Sequence, residues 1–305
     1  MAKFQINILG CGSATPSMRH LPSCQIIDFR DSLYMIDCGE GAQLTMRRMK
    51  LKFSRLKHIF ISHLHGDHCF GMLGLLSTLA LHGKEGAVTI HIFKEGADLF
   101  KRMFDFFCRD ISFEIKFNII TPGTTSVIYE DDALTVTAFP LYHRVPCSGF
   151  VFKEKEKQRH LRGDMVKFYN VPVRELHNIK NGADYITPEG QVVENVRLTT
   201  DADPAMSYAY CSDTLYDRRV AQSVKGVDVI YHEATYDDAE RANALERGHS
   251  TAREAGRIAA EAGAKKLILG HFSKRYLSES GHLAQAQEEF PDVILANEGL
   301  KLDLL

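Results

Sequence analysis

The sequence has no apolar run long enough for a membrane span and no cysteines in Cys-x-x-Cys spacing. A bilayer span needs about 20 apolar residues, so we expect no membrane partner. The seven cysteines are odd in number and scattered, which argues against a disulfide framework and favours buried thiols in a reducing compartment. The first residues, Met1–Ile6, lead directly into a strand-like run without the pattern of a signal peptide, so we predict a cytoplasmic protein.

The chain also lacks an excess of positive charge. Its 37 lysines and arginines are balanced by 39 aspartates and glutamates, which leaves a net charge of −2 at pH 7. This balance is unexpected for a protein that binds nucleic acid, but local charge decides RNA contact, so RNA binding is neither indicated nor excluded. The 305 residues, 45% hydrophobic and 25% charged, are typical of a globular chain with one large core or two domains.

The segment Ser62–His68 places three histidines and one aspartate within six positions. Imidazole and carboxylate are good zinc ligands, and a catalytic zinc needs such ligands plus one open position. A strand-like run, His58–Ile61, precedes the segment and a helix-like run, Gly71–Leu81, follows it. We therefore expect these residues on a strand-to-helix loop, where α/β folds usually build sites. The alternative is a set of solvated loop residues. The four candidate ligands are His63, His65, Asp67 and His68.

The His-x-His-x-Asp-His spacing resembles the signature of the metallo-β-lactamase superfamily, which implies a two-zinc hydrolase site on an αββα sandwich. Four ligands cannot complete two metal sites. Three further polar residues, His143, Asp213 and His271, each follow a strand-like run; each alone is more typical of a capping or loop residue than of a ligand. The resemblance implies two Zn²⁺ per subunit with Asp213 as the bridge. It assigns the first zinc to His63, His65 and His143, and the second to Asp67, His68 and His271.

Other motifs narrow the resemblance. The run His232-Glu233-Ala234-Thr235, the run Gly248-His249-Ser250-Thr251 and the segment His271–Tyr276 resemble motifs of the ribonuclease Z family, whose members are endonucleases that mature tRNA 3′ ends. The segments Gly10–Ser17 and Asp37–Gly41 also resemble that family. The likeness covers nearly the whole chain. It implies precursor tRNA as the substrate, a 3′-hydroxyl on the tRNA product, and a homodimer as the working form.

Two segments depart from the family pattern. The loop Pro-x-Lys-x-Arg-Asn stands here as Pro16–His20, one position shorter and without lysine, which leaves the treatment of precursors with an encoded CCA end open. Family members carry a protruding substrate-binding arm between the third histidine ligand and the bridging aspartate, and residues 153–197 occupy that position. The Gly-Pro-rich element of the arm is replaced by Val171–Glu175. Because lysines and arginines alternate with acids in this range, its composition alone favours a solvated, mobile hairpin.

Several residues outside the predicted ligand set are candidates for the chemistry. Asp67 is expected to orient the attacking water or accept its proton as well as to bind metal. His249 is the candidate general acid for the leaving oxygen, and Glu233 the residue that orients and charges its imidazole. The alternative for His249 is a residue beside a helix cap. Lys274 and Arg275 follow a predicted ligand and are candidate phosphate contacts; an exposed charge pair is the alternative.

Strand-like runs alternate with helical runs on both sides of the expected arm. This pattern predicts an α/β chain with two mixed sheets packed face to face and helices outside, which agrees with the αββα sandwich. We expect one domain over residues 1–305, with the arm inserted at 153–197. The predicted helices include residues 43–50, 71–81, 99–107 and 251–261.

Three functions are consistent with these observations. The first is a zinc-dependent endoribonuclease that removes the 3′ trailer from precursor tRNA. The second is a hydrolase of small esters, an arylsulfatase or a cyclic phosphodiesterase, on the same scaffold; the weak arm and the altered loop keep it open. The third is a catalytically silent RNA-binding or scaffold protein, against which the full ligand set and His249 argue.

Overall fold

The structure, a computed structural model, describes residues 4–108 and 111–304. Most of the strands in this part of the chain belong to two large sheets. The strands are β1 (Phe4–Gly10), β2 (Cys24–Phe29), β3 (Ser32–Ile36), β4 (Leu56–Phe60), β5 (Ala87–Phe93), β6 (Glu114–Ile120), β7 (Ser126–Glu130), β8 (Leu134–Leu141), β9 (Cys147–Glu154), β10 (His160–Leu161), β11 (Tyr185–Ile186), β12 (Val192–Val193), β13 (Thr199–Thr200), β14 (Ser207–Cys211), β15 (Val229–Glu233), β16 (Lys266–Gly270), β17 (Val293–Leu295) and β18 (Lys301–Asp303).

Helices connect these strands, and three short 3-10 turns (Phe53–Arg55, Val173–Glu175 and Asp238–Glu240) accompany them among the described residues. The α-helices are α1 (Ala42–Arg48), α2 (Gly66–Cys69), α3 (Met72–Leu81), α4 (Lys94–Phe107), α5 (Gly163–Phe168), α6 (Leu176–Lys180), α7 (Asn195–Leu198), α8 (Arg218–Ser223), α9 (Arg241–Arg247), α10 (Ala252–Ala262) and α11 (Ser280–Gln287).

Each large sheet has seven strands and mixes parallel with antiparallel pairs. The first sheet has the order β18-β1-β2-β3-β4-β5-β6, and its pairs are antiparallel up to β3 and parallel from β3 to β6. The second has the order β17-β16-β15-β14-β9-β8-β7, with β14 to β17 parallel. Strands such as β1 to β3 are buried along their whole length, because both faces of the sheet are covered.

The two sheets pack face to face through large side chains. Tyr208 of β14 donates a hydrogen bond to Gln25 of β2, and Phe60 of β4 lies 5.6 Å from Phe150 of β9 between ring centroids. On the outer face of the first sheet, α1, α3 and α4 share one apolar cluster with β2 to β5. On the second sheet, α10 packs on β15 and β16 and contacts α8 and α11. The prediction of two mixed sheets with helices outside is confirmed.

The structure corrects the predicted local conformation at three places. Residues 66–69 form the short helix α2, so Asp67 and His68 lie on a helical turn and not on the predicted loop. Helix α4 begins at Lys94 and not at Leu99, because its first turn carries no large apolar residue and gave no helical pattern. The element α9 was not predicted for the same reason.

Residues 153–205, together with 131–134, form a compact unit distinct from the remainder of the chain. The predicted arm, 153–197, lies within this second unit. The unit holds two two-stranded sheets, β10-β13 and β11-β12, and the helices α5, α6 and α7. It is more ordered than the mobile hairpin that its composition favours, because it has an apolar core of its own. That core consists of Val171, Ile179, Tyr185, Val193 and Leu198.

Two findings bear on the chemistry of the chain as a whole. All seven cysteines are buried and none is in a disulfide, which confirms the prediction of buried thiols. Within residues 4–108 and 111–304, no helix combines the length and the apolar character needed to cross a membrane.

A histidine pair between β4 and β5, in which His91 is buried and His58 half-buried, predicts acid sensitivity. His91 is 1% exposed and its Nε2 atom lies 3.0 Å from Nδ1 of His58. Burial, and then the charge of His58, lower the pKa of His91 to about 3. In the unfolded chain His91 has an ordinary pKa of about 6.5, so between about pH 6.5 and pH 3 the unfolded chain binds a proton that the folded chain does not. The stability that depends on neutral His91 is therefore complete above about pH 6.5 and is lost as the pH falls toward about 3.

We therefore expect the urea midpoint of the native chain to fall between pH 7 and pH 4, and to fall less in His91→Leu, which cannot be protonated. Urea titrations at both pH values measure this difference. An equal fall in the two chains would show that other groups, such as carboxylates, account for the acid sensitivity.

Candidate metal centre

The predicted ligands follow the carboxyl ends of strands. The segment that begins at Ser62 follows β4, His143 lies between β8 and β9, Asp213 follows β14 and His271 follows β16. Since β14, β15 and β16 are parallel neighbours, their carboxyl ends lie at one edge of the sheet, and the polar residues that follow them gather there.

The structure brings four of these residues into a first cluster. The Nδ1 atom of His65 lies 3.0 Å from Nε2 of His63 and 3.3 Å from Nε2 of His143. One oxygen of Asp213, Oδ2, lies 3.5 Å from Nε2 of His63 and 3.8 Å from Nε2 of His143. Three ring nitrogens and one carboxylate oxygen thus face a common point.

A second cluster lies beside the first. Nε2 of His68 and Nε2 of His271 are 3.3 Å apart, and both lie 3.5 Å from Oδ2 of Asp67. The other oxygen of Asp213, Oδ1, lies 3.5 Å from Nε2 of His68 and 3.2 Å from Nε2 of His271. Asp213 therefore contributes one oxygen to each cluster, in the position that the sequence assigns to a bridging ligand.

The donor set of both clusters fits metal ions. Metal–ligand bonds of about 2.0–2.2 Å in a tetrahedron place neighbouring ligand atoms about 3.3–3.6 Å apart, which is close to the separations found here. Asp213 Oδ1 is buried and accepts no hydrogen bond from any described residue. A buried carboxylate oxygen without a donor is costly, and a cation at this point would satisfy it.

Hydrogen bonds fix the far side of two of the histidine rings. His143 Nδ1–H donates to the carbonyl of Gly248 (2.7 Å). His271 Nδ1 lies 2.8 Å from the Thr235 hydroxyl, which itself donates to Glu233. These bonds orient the imidazoles and leave Nε2 free for a metal. Gly248 has φ +78°, and a Cβ there would lie 2.9 Å from His143 Nδ1, so only glycine fits this contact.

Sequence reasoning missed Asp37 as a residue of the site. Its buried carboxylate accepts hydrogen bonds from His68 Nδ1–H (2.7 Å), from the Tyr210 hydroxyl (2.7 Å) and from the backbone N–H of Ser62 (2.8 Å). The Ser62 hydroxyl lies 2.9 Å from Asp37 and 3.1 Å from Nδ1 of His63. Asp37 thus orients His68 directly and His63 through Ser62. The signal in the sequence that could have identified Asp37 is its position directly after a strand, which it shares with other residues of the site.

The histidines divide into two electrostatic classes. Burial lowers the pKa of His63, His65 and His143, which keeps them in the neutral form that binds metal. Burial also opposes charge on His68. The carboxylates of Asp213, Asp37 and Asp67 outweigh burial and raise the pKa of His68 to about 10. The second cluster therefore has a surplus of negative charge, which favours a bound cation.

His249 lies beside the clusters. Its Nδ1 atom is 2.9 Å from Glu233 Oε1 and 3.9 Å from Asp213 Oδ2, and its side chain is 12% exposed. Burial lowers the pKa of His249, but the charges of Glu233 and Asp213 outweigh burial and raise that pKa to about 9. Glu233 is fully buried and also accepts from the backbone N–H groups of Thr214 and Ser250, so it is fixed in place.

An open cleft of about 940 Å³ lies over the clusters. His249, His271 and the loop 13–16 line it together with four basic side chains. Lys274 lines the cleft without an ion pair to any described residue, whereas Arg275 pairs with Glu240 and lies over the Tyr236 ring. Arg144 and Arg247 were not predicted as residues of the cleft, because neither belongs to one of the sequence motifs. The four are Arg144, Arg247, Lys274 and Arg275.

Comparisons with known proteins agree with this arrangement. A family model described as "Anti-Pycsar protein Apyc1" matches residues 4–103. The protein named Ribonuclease Z from Bacteroides fragilis (strain YCH46) is 52% identical over 304 residues, which cover 100% of this chain and 100% of that protein. The crystal structure of the short form of human tRNase Z has a TM-score of 0.73 at 25% identity and covers 99% of each chain.

A second solved structure identifies the fold. The metallo-β-lactamase fold protein YhfI from Bacillus subtilis has a TM-score of 0.69 at 17% identity and covers 99% of each chain. The two seven-stranded sheets with their outer helices are therefore a metallo-β-lactamase fold, as the spacing of the histidines predicted.

Proposed function

The chain belongs to the ribonuclease Z family, and on this premise we propose that it is a zinc-dependent endoribonuclease that cuts the 3′ trailer from precursor tRNA. The reaction is hydrolysis of a phosphodiester bond. The P–O3′ bond breaks, water supplies the new P–O bond, and the products are a tRNA with a 3′-hydroxyl and a trailer with a 5′-phosphate. The observation that carries this proposal is the pair of donor clusters joined by Asp213, with His249 beside them on the cleft.

We assign two Zn²⁺ to the two clusters, the first to the group of His63 and the second to the group of His68. When bound, the metals supply Lewis-acid stabilisation of phosphate charge and lower the pKa of water. The carboxylates of Asp67 and Asp213 offset part of the positive charge of the two metals. The remaining ligands are His65, His143 and His271.

Two residues of the chain move protons in this proposal. Asp67 Oδ2 accepts a hydrogen bond from the backbone N–H of Ala14 (2.7 Å), which fixes the carboxylate so that it can orient the attacking water or accept its proton. His249 donates a proton to the leaving 3′ oxygen as general acid. Glu233 is a positioning residue, because it acts through the imidazole that it holds.

Cations at the rim of the cleft hold the phosphates next to the cut. Of the two predicted phosphate contacts, Lys274 has no ion pair with a described residue. Arg275 is paired with Glu240, so it would bind a phosphate next to that carboxylate. Arg144 and Arg247 join them, and neither has an ion pair with a described residue. Charge-assisted bonds from such groups position a phosphate without reading the base.

We further propose that the chain is a cytoplasmic homodimer in which the second unit of one subunit holds tRNA at the active site of the other. The unit carries six cations between Lys153 and Lys167. At least three of them are already paired with acids of the same unit: Lys157 with Glu154, Arg159 with Asp201, and Arg162 with Asp164.

This arrangement predicts complementation between two inactive chains. Replacing residues 154–203 by a Gly-Ser linker should abolish precursor cleavage but spare hydrolysis of a small aryl phosphodiester. Mixing this chain with His249→Ala, followed by subunit exchange, should restore about a quarter of the native activity, because half of the dimers are mixed and each has one competent site. Cleavage rates of the mixture measure this. No recovery, with mixed dimers confirmed by native mass spectrometry, would contradict the exchange of arms.

A hydrolase of small esters on the same scaffold is the second candidate. The observation that favours it is the loop Pro16–His20, which is shorter than in the family and has no lysine. A silent RNA-binding role would leave the two donor clusters and His249 without a use.

Steady-state kinetics of the zinc-loaded chain separate these functions. The substrates are a precursor tRNA with a 3′ trailer, an aryl phosphodiester, a cyclic mononucleotide and an aryl sulfate. We expect kcat/KM for the precursor to exceed the others by several orders of magnitude, since remote contacts contribute to catalysis. Faster turnover of a small ester would support the second candidate, and no turnover of any substrate would support the silent role.

A further inference from the structure

A groove of about 680 Å³ lies on the other side of the N-terminal loop from the active-site cleft. Four cations line it. Arg19 is paired with Glu279, and the other three are Arg48 in the last turn of α1, Lys50 just after that helix, and Lys301 on β18. All three side chains are exposed. None of them has an ion pair with any residue in the part of the chain that the structure describes. The groove therefore holds three uncompensated positive charges.

The acidic groups beside the groove already have partners. Glu298 accepts hydrogen bonds from His20 Nδ1–H (3.1 Å) and from the backbone N–H of Leu21 (2.8 Å). Glu279 pairs with Arg19 at 2.6 Å. Both carboxylates thus have partners other than the three free cations. They also hold the loop that forms one wall of the groove.

The same loop separates the groove from the catalytic cleft. Residues 13–16 line the cleft above the metal ligands, and residues 17–21 line the groove. Ala14 N–H donates to Asp67 Oδ2, so the loop contacts the candidate metal centre at one end and the groove at the other. A strand that continues past the reacting phosphate and crosses this loop would enter the groove.

The positive charge and the concave shape of the groove favour the binding of a single-stranded polyanion. Lysine and arginine bind phosphates without regard to sequence. None of the residues that line the groove is a phenylalanine, tyrosine or tryptophan, so it offers no platform for base stacking of the kind found in many single-strand binding proteins. A folded RNA duplex presents its phosphates on a convex surface and does not enter a concave groove, whereas an extended strand does.

We propose that this groove binds the phosphates of the 3′ trailer downstream of the cut, an inference that rests on the proposed tRNA 3′-processing function. Arg48, Lys50 and Lys301 hold the trailer while the loop 13–21 directs it out of the cleft. The chain thereby favours precursors with a trailer of several nucleotides over those with a single extra nucleotide, independently of trailer sequence.

The test compares a charge-reversal variant with a matched control. The variant is R48E/K50E/K301E. The control is K94E/K101E/K116E, in which three exposed lysines paired with acids of their own elements are reversed. Precursors of one tRNA carry trailers of 1, 5 and 15 nucleotides. We expect kcat/KM of the variant to fall at least about tenfold for the two longer trailers and to match the native chain for the shortest.

The salt dependence gives a second readout. Loss of about three phosphate contacts to a single strand should reduce the slope of log kcat/KM against log salt by about 2 for the longest trailer. The control should reproduce the native slope. An unchanged rate on the long trailers, or an equal loss at all three lengths, would overturn the trailer assignment.

Failure of the proposed function itself would be recognised separately. If the native chain cuts none of the precursors, the tRNA-processing proposal fails, and the trailer assignment falls with it. If it cuts the precursor with one extra nucleotide but shows no preference for longer trailers, only the inference about the groove is overturned.

Discussion

Replacing His249 by alanine should lower kcat on precursor tRNA by about 10²–10⁴-fold and leave both metals bound. The side chain lies outside the two donor clusters, and its Nδ1 is held by Glu233 at 2.9 Å. Removing it therefore removes a proton donor and no predicted ligand. Turnover and metal content, measured on the same preparation, test the two halves of this expectation.

The nature of the leaving group distinguishes proton donation from a structural role. A phosphodiester with a strongly acidic phenol as leaving group needs no general acid, so His249→Ala should retain most of its activity on that substrate. His82→Ala, at an exposed histidine after α3, is the matched control and should behave as the native chain. An equal loss of activity on both kinds of substrate would exclude His249 as the general acid.

Replacing Asp213 by asparagine should lower the metal content as well as the turnover. Its two oxygens belong to different clusters, at 3.5 Å from His63 and 3.2 Å from His271. An amide cannot offer both oxygens or the negative charge, so we expect less than one metal per chain and a loss of at least about 10³-fold in kcat. Elemental analysis and precursor cleavage measure these two quantities.

Thermal unfolding provides an independent readout of the same variant. Metals that bind only the folded chain raise its Tm, and chelation removes that increase. We expect chelation to lower the Tm of the native chain and of the control Asp105→Asn, whose carboxylate lies on the exposed face of α4. The Tm of Asp213→Asn should not respond. A full response in that variant would show that metal binding does not depend on Asp213.

The sequence indicated which residues would lie close together, because a dense local run and the polar residues after strand ends can both be recognised without the fold. Three histidines and an aspartate in six positions have few uses in a protein, and the residues that follow β8, β14 and β16 are polar where buried strands end. The structure brings all seven together.

Other parts of the site could not be predicted because they depend on contacts between distant segments. Asp37 reaches His68 across 31 positions, and nothing in the run Asp37–Gly41 reveals that partner. The Gly248 carbonyl meets His143 across 105 positions. Likewise, the second unit was expected to be mobile from its alternating charges, and only the packing of Ile179, Tyr185 and Leu198 reveals its core.

The measurement that tests the central claim most directly maps the cut in an end-labelled precursor tRNA at nucleotide resolution and identifies the new ends. The zinc-loaded chain should make a single cut just after the discriminator nucleotide, with a 3′-hydroxyl on the tRNA and a 5′-phosphate on the trailer. Cuts scattered along the RNA, or a 2′,3′-cyclic phosphate at the new end, would contradict metal-assisted hydrolysis at the site described.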